Sequence, residues 1–229
     1  MDDGYFQQFQ SLFSEFDVPA AFWVNIQLTF FAGILALLLG TVLATMRISP
    51  VPSLRWAGST YVTILRNTPL TIIMVFCVLG LWGQLGITLS PDFTTNFFRL
   101  AVLGLAVYHA AFVCEALRSG VNTVPVGQAE AARAIGLSFW PAARLIILPQ
   151  AFRGSVAPLG NVLIALTKNS TVAAAASVAE ASSLMRTMIE FRPDVIVAIF
   201  LTFALGFVLL VVPIGLATTA LSRRLAVAR

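Results

Sequence analysis

Apolar residues run along this chain in blocks of roughly twenty, the length that crosses a bilayer as helix, and each block is closed by an arginine, a proline or a cluster of turn formers. Ile26 to Met46 is long enough to cross about 30 Å of hydrocarbon, and Arg47 and Pro50 close it. Along it Ala32, Ala36, Gly40 and Ala44 recur every fourth residue, a stripe that lets another helix come close. The next apolar region, Ala57 to Trp82, is broken at Arg66-Asn67-Thr68-Pro69, where a charge meets a proline that cannot continue the hydrogen-bond ladder. Its spanning part starts at Pro69, and Gly83, Gly86, Ser90 and Pro91 mark the loop that follows. A third block, Phe97 to Leu117, carries Glu115 near its end. After a polar, charged stretch the apolar pattern resumes from Val156 to Ala179, with a second break at Lys168-Asn169-Ser170-Thr171. Val195 to Leu221 is the last block, ended by Ser222, Arg223 and Arg224.

These blocks predict an all-α, polytopic fold with five spans at about residues 24–46, 69–88, 97–117, 155–179 and 195–221, in one domain of residues 22–224. Ahead of it, Tyr5, Phe6, Phe9, Leu12, Phe13 and Phe16 recur at helical spacing, with Gln7, Gln8, Ser11, Ser14 and Glu15 on other faces. Residues 1–21 therefore read as an extracytoplasmic amphipathic segment lying on the membrane, or as a tail with incidental phenylalanines. Asp2 and Asp3 stand where a secretory leader carries positive charge, so no cleaved leader is expected. Residues 225–229 make a short cytoplasmic tail.

Composition agrees that the bilayer is the solvent: 59% of the residues are hydrophobic, 10% are charged, and the mean hydropathy is +0.91. The basic pI does not point to nucleic acid, because the arginines sit singly between apolar runs instead of forming a patch. They do set an orientation. An odd number of spans places Arg47, Arg55, Arg66, Arg118, Arg133, Arg144, Arg153, Arg223, Arg224 and Arg229 on one side. Arg99, Arg186 and Arg192 fall on the other, so the first side is cytoplasmic, with the N-terminus outside and the C-terminus inside. Cys77 and Cys114 lie in apolar runs as small packing residues, and the single His109 cannot build a two-histidine metal site.

The cytoplasmic loop of residues 120–149 is too long and too regular to be a plain connection. Thr123 ahead of Pro125 suits a helix start, the alanine-rich run favours helix, and Gly136 suits its end. Ser138 ahead of Pro141 then opens a second helix. Such a pair either lies on the lipid or docks on a partner. Within it, Glu130, Ala131, Ala132, Gly136, Ile146, Leu148 and Pro149 match the EAA motif, and here the chain resembles the bacterial ABC import permeases.

That resemblance implies a type I ABC importer transmembrane domain whose segment Glu130 to Gly136 is a coupling helix, docked in a groove of an ATP-hydrolysing subunit. It implies further partners: a second permease, by resemblance a paralogue, two ATPase subunits, an extracytoplasmic amino-acid-binding protein, and membrane lipid around the spans. It places the chain in the bacterial plasma membrane, and it assigns ATP and Mg to the partner ATPase, with no cofactor in this chain. The residues agree on that point. A phosphate-binding loop needs a lysine after a glycine-rich turn, and the one lysine is Lys168, in Leu166-Thr167-Lys168-Asn169. The chain is expected to be a transporter subunit and not an enzyme.

The resemblance runs from Phe22 to the C-terminus and is nearest the permeases for polar amino acids, through Arg66-Asn67-Thr68-Pro69-Leu70, Glu115-Ala116-Leu117-Arg118-Ser119-Gly120 and Ala165-Leu166-Thr167-Lys168-Asn169-Ser170-Thr171. Met46-Arg47-Ile48-Ser49-Pro50 together with Leu221-Ser222-Arg223-Arg224-Leu225-Ala226-Val227 resembles the glutamate-uptake permeases of actinobacteria. Glutamate is the cargo this implies, with glutamine and aspartate as alternatives. A dicarboxylate in a membrane cavity needs cations or helix N-termini to meet it, and Lys168 is the candidate, flanked by Asn169, Ser170 and Thr171, with Thr68 at the other break. Lys168 has two readings, contact with a substrate carboxylate or pairing within the protein. Arg66, Glu115 and Arg118 read as structural or gating residues that snorkel or form a mutual salt bridge. An ion-coupled secondary carrier is the rival class, and it would show internal repeats and more intramembrane carboxylates.

Overall fold

The computed structural model describes residues 13 and 15–225, and every regular element among them is helical. Most of the N-terminal amphipathic segment and the tail from residue 226 lie outside the described residues. Helix α1, Val18–Ile48, begins well ahead of Ile26 because the Asp17 carboxylate accepts the Ala20 N–H at 2.9 Å and caps it. Its last turn holds Arg47, whose charge suits a helix C-terminus.

Helix α2, Pro52–Asn67, ends at the first predicted break, where Pro69 is extended at φ −60°, ψ 135°. Helix α3, Leu70–Val75, then widens into a π-helical stretch, Phe76–Gln84. Gly83, expected in the loop, lies inside that stretch, and the turn out of it uses Gly86 at φ +64°. Six α residues and nine π residues fall short of the roughly twenty that a span needs. By length and composition, α1, α4 (Phe93–Asn122) and Pro193–Leu225 can each cross a membrane alone, and two interrupted helix pairs raise the number to as many as five. One pair is α2 with α3. The other is Ala143–Ala176 with Ala181–Phe191.

At the start of α4, Asp92 accepts the Thr95 N–H at 2.8 Å, a hydrogen bond that holds its carboxyl below the usual range. The second half of the chain holds α5 (Val126–Ala134), α6 (Phe139–Ala142), a π-helical stretch Ala143–Ile147 and α7 (Leu148–Asn169). A 3₁₀ stretch Ser170–Ala176, helix α8 (Ala181–Phe191), a 3₁₀ turn Pro193–Val195 and α9 (Ile196–Leu225) complete it. Helix α8 occupies a segment to which the hydrophobic pattern assigned no element.

The chain divides into two compact units. One gathers the chain up to Leu35 with Thr68–Ala106 and Ala165–Val212. Its core is built from Val18, Ala21, Ala181, Met188, Val195, Ile199 and Phe203, with Phe22 stacked over Phe203 at 5.7 Å. The other unit gathers Ala36–Asn67, Val107–Ile164 and Pro213 onwards. There the small-residue stripe of α1 meets α4: a Cβ added at Gly40 would stand 2.6 Å from the Val113 Cβ and 2.9 Å from the Ala110 carbonyl oxygen. Tyr61 donates to the Val107 carbonyl at 2.8 Å beside it. Cys77 and Cys114 are buried free thiols, and His109 is buried against the rings of Tyr108 and Phe112, as packing residues should be.

Candidate functional site

The EAA residues form a short helix with a strict stop. In α5 the residues Glu130 and Ala131 are exposed, while Ala132 is buried on the face turned to α6 and the π-helical stretch after it. Leu137 N–H bonds to the Ala132 carbonyl at 3.0 Å and Gly136 N–H to the Arg133 carbonyl at 2.9 Å, the paired bonds of a Schellman turn. That turn needs a left-handed residue, and Gly136 supplies it at φ +84°. No atom lies within 4 Å of where a Gly136 side chain would begin, so the glycine serves the turn and leaves open ground in front of it. Val126 and Ile135 at the two ends of α5 are about three-quarters exposed, an apolar surface left open by the described residues.

Two expectations about this loop change. Thr123 does not cap α5: its hydroxyl donates to the Gly120 carbonyl at 2.7 Å, closing α4, and the helix starts after Pro125 without a side-chain cap. Nor is the second loop helix separate from the fourth span. From Phe139 the backbone stays helical through α6 and the π-helical stretch into α7, so Ile146, Leu148 and Pro149 sit at the base of α7. Pro149 has no N–H to donate, and the widened turn ahead of it absorbs that loss while the Gln150 amide caps the Ile146 carbonyl at 2.9 Å. Around the loop, α4 and α7 touch backbone to backbone, with Gly120 against Ala151 and Ser155, and Gly154 against Thr123 and Gly120.

At the second expected break the helix does not stop: it tightens to 3₁₀ from Ser170 to Ala176, and the chain turns only after that, at Ser177 with φ +59°. The four residues separate by direction. Lys168 is exposed at the last turn of α7 and forms no ion pair among the described residues. Thr171 donates to the Lys168 carbonyl at 2.8 Å, and Asn169 is half-buried. Ser170 is fully buried, donates to the Thr167 carbonyl at 2.7 Å and accepts from Asn25, so its hydroxyl serves the fold and is not open to a ligand. Thr68 stands just ahead of α3, which packs on the same 3₁₀ stretch.

Sequence reasoning missed the centre of this arrangement. Asn25, buried in α1, donates to the Ser170 hydroxyl at 2.8 Å and to the Glu180 carboxylate at 2.9 Å, and accepts the Ala181 N–H at 2.9 Å. Glu180, also fully buried, caps α8 by accepting the Ser182 and Ser183 N–H groups at 2.8 and 2.9 Å. The available signal was an amide inside the first apolar block and an acid two and three residues ahead of a serine pair.

The predicted Arg66–Glu115 pair is present at 3.7 Å, inside a larger cluster. Glu115 also bonds Arg47 closely through the same oxygen and Arg118 at 3.4 Å through the other. A cavity of about 310 Å³ opens beside them, lined by Arg47, Val62, Thr63, Arg66, Asn67 and Glu115.

Comparison with known proteins followed this geometry. Residues 15–227 match the family described as binding-protein-dependent transport system inner membrane component. The glutamate transport system permease protein GluC of Corynebacterium glutamicum is 50% identical over 212 residues, covering 90% of this chain and 93% of that one. Its counterpart in Corynebacterium efficiens matches to the same extent. Among solved structures, an amino acid ABC transporter crystallised with histidines superposes with a TM-score of 0.83 at 23% identity, covering 98% of this chain and 99% of that chain, a likeness of fold.

Proposed function

Because the chain belongs to the inner-membrane components of binding-protein-dependent transport systems, and so is the permease of an ABC-type importer, we propose that its cargo is glutamate. The identity of 50% to a glutamate permease over 90% of the chain carries this reading. The transporter takes up its ligand from a binding protein and is powered by an ATPase held in other chains; we assign that role to two ATPase subunits with ATP and Mg, and a second, paralogous permease to the other half of the path. The N-terminus is placed outside and the C-terminus in the cytoplasm by the arginine distribution.

In this reading α5 is the coupling helix. Its exposed apolar ends, Val126 and Ile135, enter the ATPase, and the Schellman turn at Gly136 keeps it stiff enough to pass on a rigid-body movement. Closure of the ATPases then exchanges an inward-open for an outward-open path. Lys168, exposed and without an ion pair among the described residues, meets a substrate carboxylate where the helix tightens.

Two measurements test this. Uptake of radiolabelled glutamate is expected to be competed by unlabelled glutamate and not by arginine or histidine; failure of glutamate to compete rejects the cargo and leaves the family untouched. Lys168→Ala is expected to raise the half-saturating glutamate concentration for transport about tenfold, as the loss of one charge-assisted contact does, with the complex still assembled. Unchanged transport by that variant removes Lys168 from the path.

A further inference from the structure

We infer that the open side of the Glu115 cluster binds the phosphate of an anionic phospholipid headgroup. Three guanidiniums surround a single carboxylate, leaving two positive charges without an anion in the cluster. The three are unequally engaged. Arg47 is largely buried and turned inward, bonded to Glu115 and 3.8 Å from the Cys114 sulfur. Arg66 is half exposed, and at 3.7 Å from Glu115 it is an ion pair too long for a hydrogen bond. Its guanidinium carbon rests over the Phe112 ring at 5.9 Å, and the side chain lines the cavity beside the cluster, which gives the planar fork a fixed face to pack on and open space in front. A guanidinium fork of this kind matches the oxygens of a phosphate better than a lysine would.

Place and shape argue for a lipid as the source of that phosphate. Arg47 is in the last turn of α1, Arg66 in the last turn of α2, and Glu115 and Arg118 are near the end of α4, so the cluster lies where apolar helices stop. Helix α2 is two-faced: Gly58 and Val62 are buried, whereas Arg55 and Trp56 are exposed, Trp56 by 73%. An exposed tryptophan beside arginines on such a helix marks the headgroup layer. A basic cavity between helix ends at that depth is the kind of site that selects anionic over zwitterionic lipid.

The test uses the assembled transporter, stripped of lipid in mild detergent and titrated with phosphatidylglycerol or phosphatidylcholine, with bound lipid counted by native mass spectrometry. Phosphatidylglycerol is expected to bind in preference, and Arg66→Gln to weaken that binding about fivefold. Arg66→Lys keeps part of it, and Arg153→Gln, an exposed arginine on α7 outside the cluster, leaves it unchanged. Inorganic phosphate or glutamate added in excess is expected not to displace the lipid. Equal phosphatidylglycerol binding by wild type and Arg66→Gln overturns the proposal, and so does displacement by either soluble anion, which would make the cavity a site for free oxyanions.

Discussion

Glutamate uptake by a Gly136→Asp permease is expected to fall about 30-fold or more while the amount of protein in the membrane stays at the wild-type level. The turn that ends α5 holds this residue at φ +84°, where a side chain costs about 1 kcal/mol or more. Among the described residues nothing lies within 4 Å of where that side chain begins, so folding is expected to tolerate it. What it meets is the partner: a carboxylate now projects from the open ground between Ile135 and Leu137, on a surface proposed to be buried against the ATPase. An unpaired charge in such a contact costs several kcal/mol, which is more than the turn itself loses. Gly136→Ala separates the two effects, since it carries the strain without the charge and is expected to transport at an intermediate rate. Uptake and membrane abundance measured together decide it. Wild-type uptake by Gly136→Asp would remove α5 from the docking site, and equal losses in both variants would assign the effect to the turn alone.

The second large effect is on stability. Asn25→Leu keeps the branched shape of the side chain and removes three buried hydrogen bonds at once, leaving the Ala181 N–H without a partner and the Ser170 hydroxyl and one Glu180 oxygen with one fewer. The stranded Ala181 N–H costs about 1–3 kcal/mol and the two lost bonds to Ser170 and Glu180, which keep their other partners, about 1 kcal/mol each, and for a chain of this size the sum lowers the melting temperature on the order of 10 °C. The chain supplies its own reporter. Both cysteines are buried, so a thiol-reactive dye stays dark until the fold opens. Glu180→Gln, whose single carbonyl oxygen can keep the Asn25 and Ser182 donors while the Ser183 N–H loses its acceptor, is expected to lose less. Melting of Asn25→Leu at the wild-type temperature would show that the cluster holds nothing together.

What was legible in the sequence is what is local. The EAA helix and its glycine stop are settled within a dozen residues by alanine propensity and by the one residue that accepts a left-handed φ, and they stand where the pattern put them. Pro69 breaks its helix through its own backbone, whereas the polar run at Lys168 only tightens the helix to 3₁₀ and the chain turns after it, at Ser177. The loop of residues 120–149 ends earlier than its motif, because a widened turn joins Phe139–Ala142 to α7 and carries the helix past Pro149. Helix α8 stayed hidden because Ala181–Phe191 is short and mixes Ser, Glu and Arg with Met and Leu, too polar for a span. Asn25 stayed hidden for a stronger reason, since the group that explains it lies 155 residues away. The arginines gave an orientation by number, whereas their convergence on Glu115 needed three helices in place.

The glycine contact around the coupling loop bears on the order in which the protein is made. Gly120 and Gly154 lie on neighbouring helices joined by α5 and α6, so their crossing can form as soon as the base of α7 leaves the ribosome. The Asn25–Glu180 bond has to wait for most of the chain, and closing so long a loop is slow. The surface proposed for the ATPase is thus finished early in synthesis, and the bond that ties α1 to the start of α8 closes late, which leaves Asn25 as the polar group that waits longest for its partners.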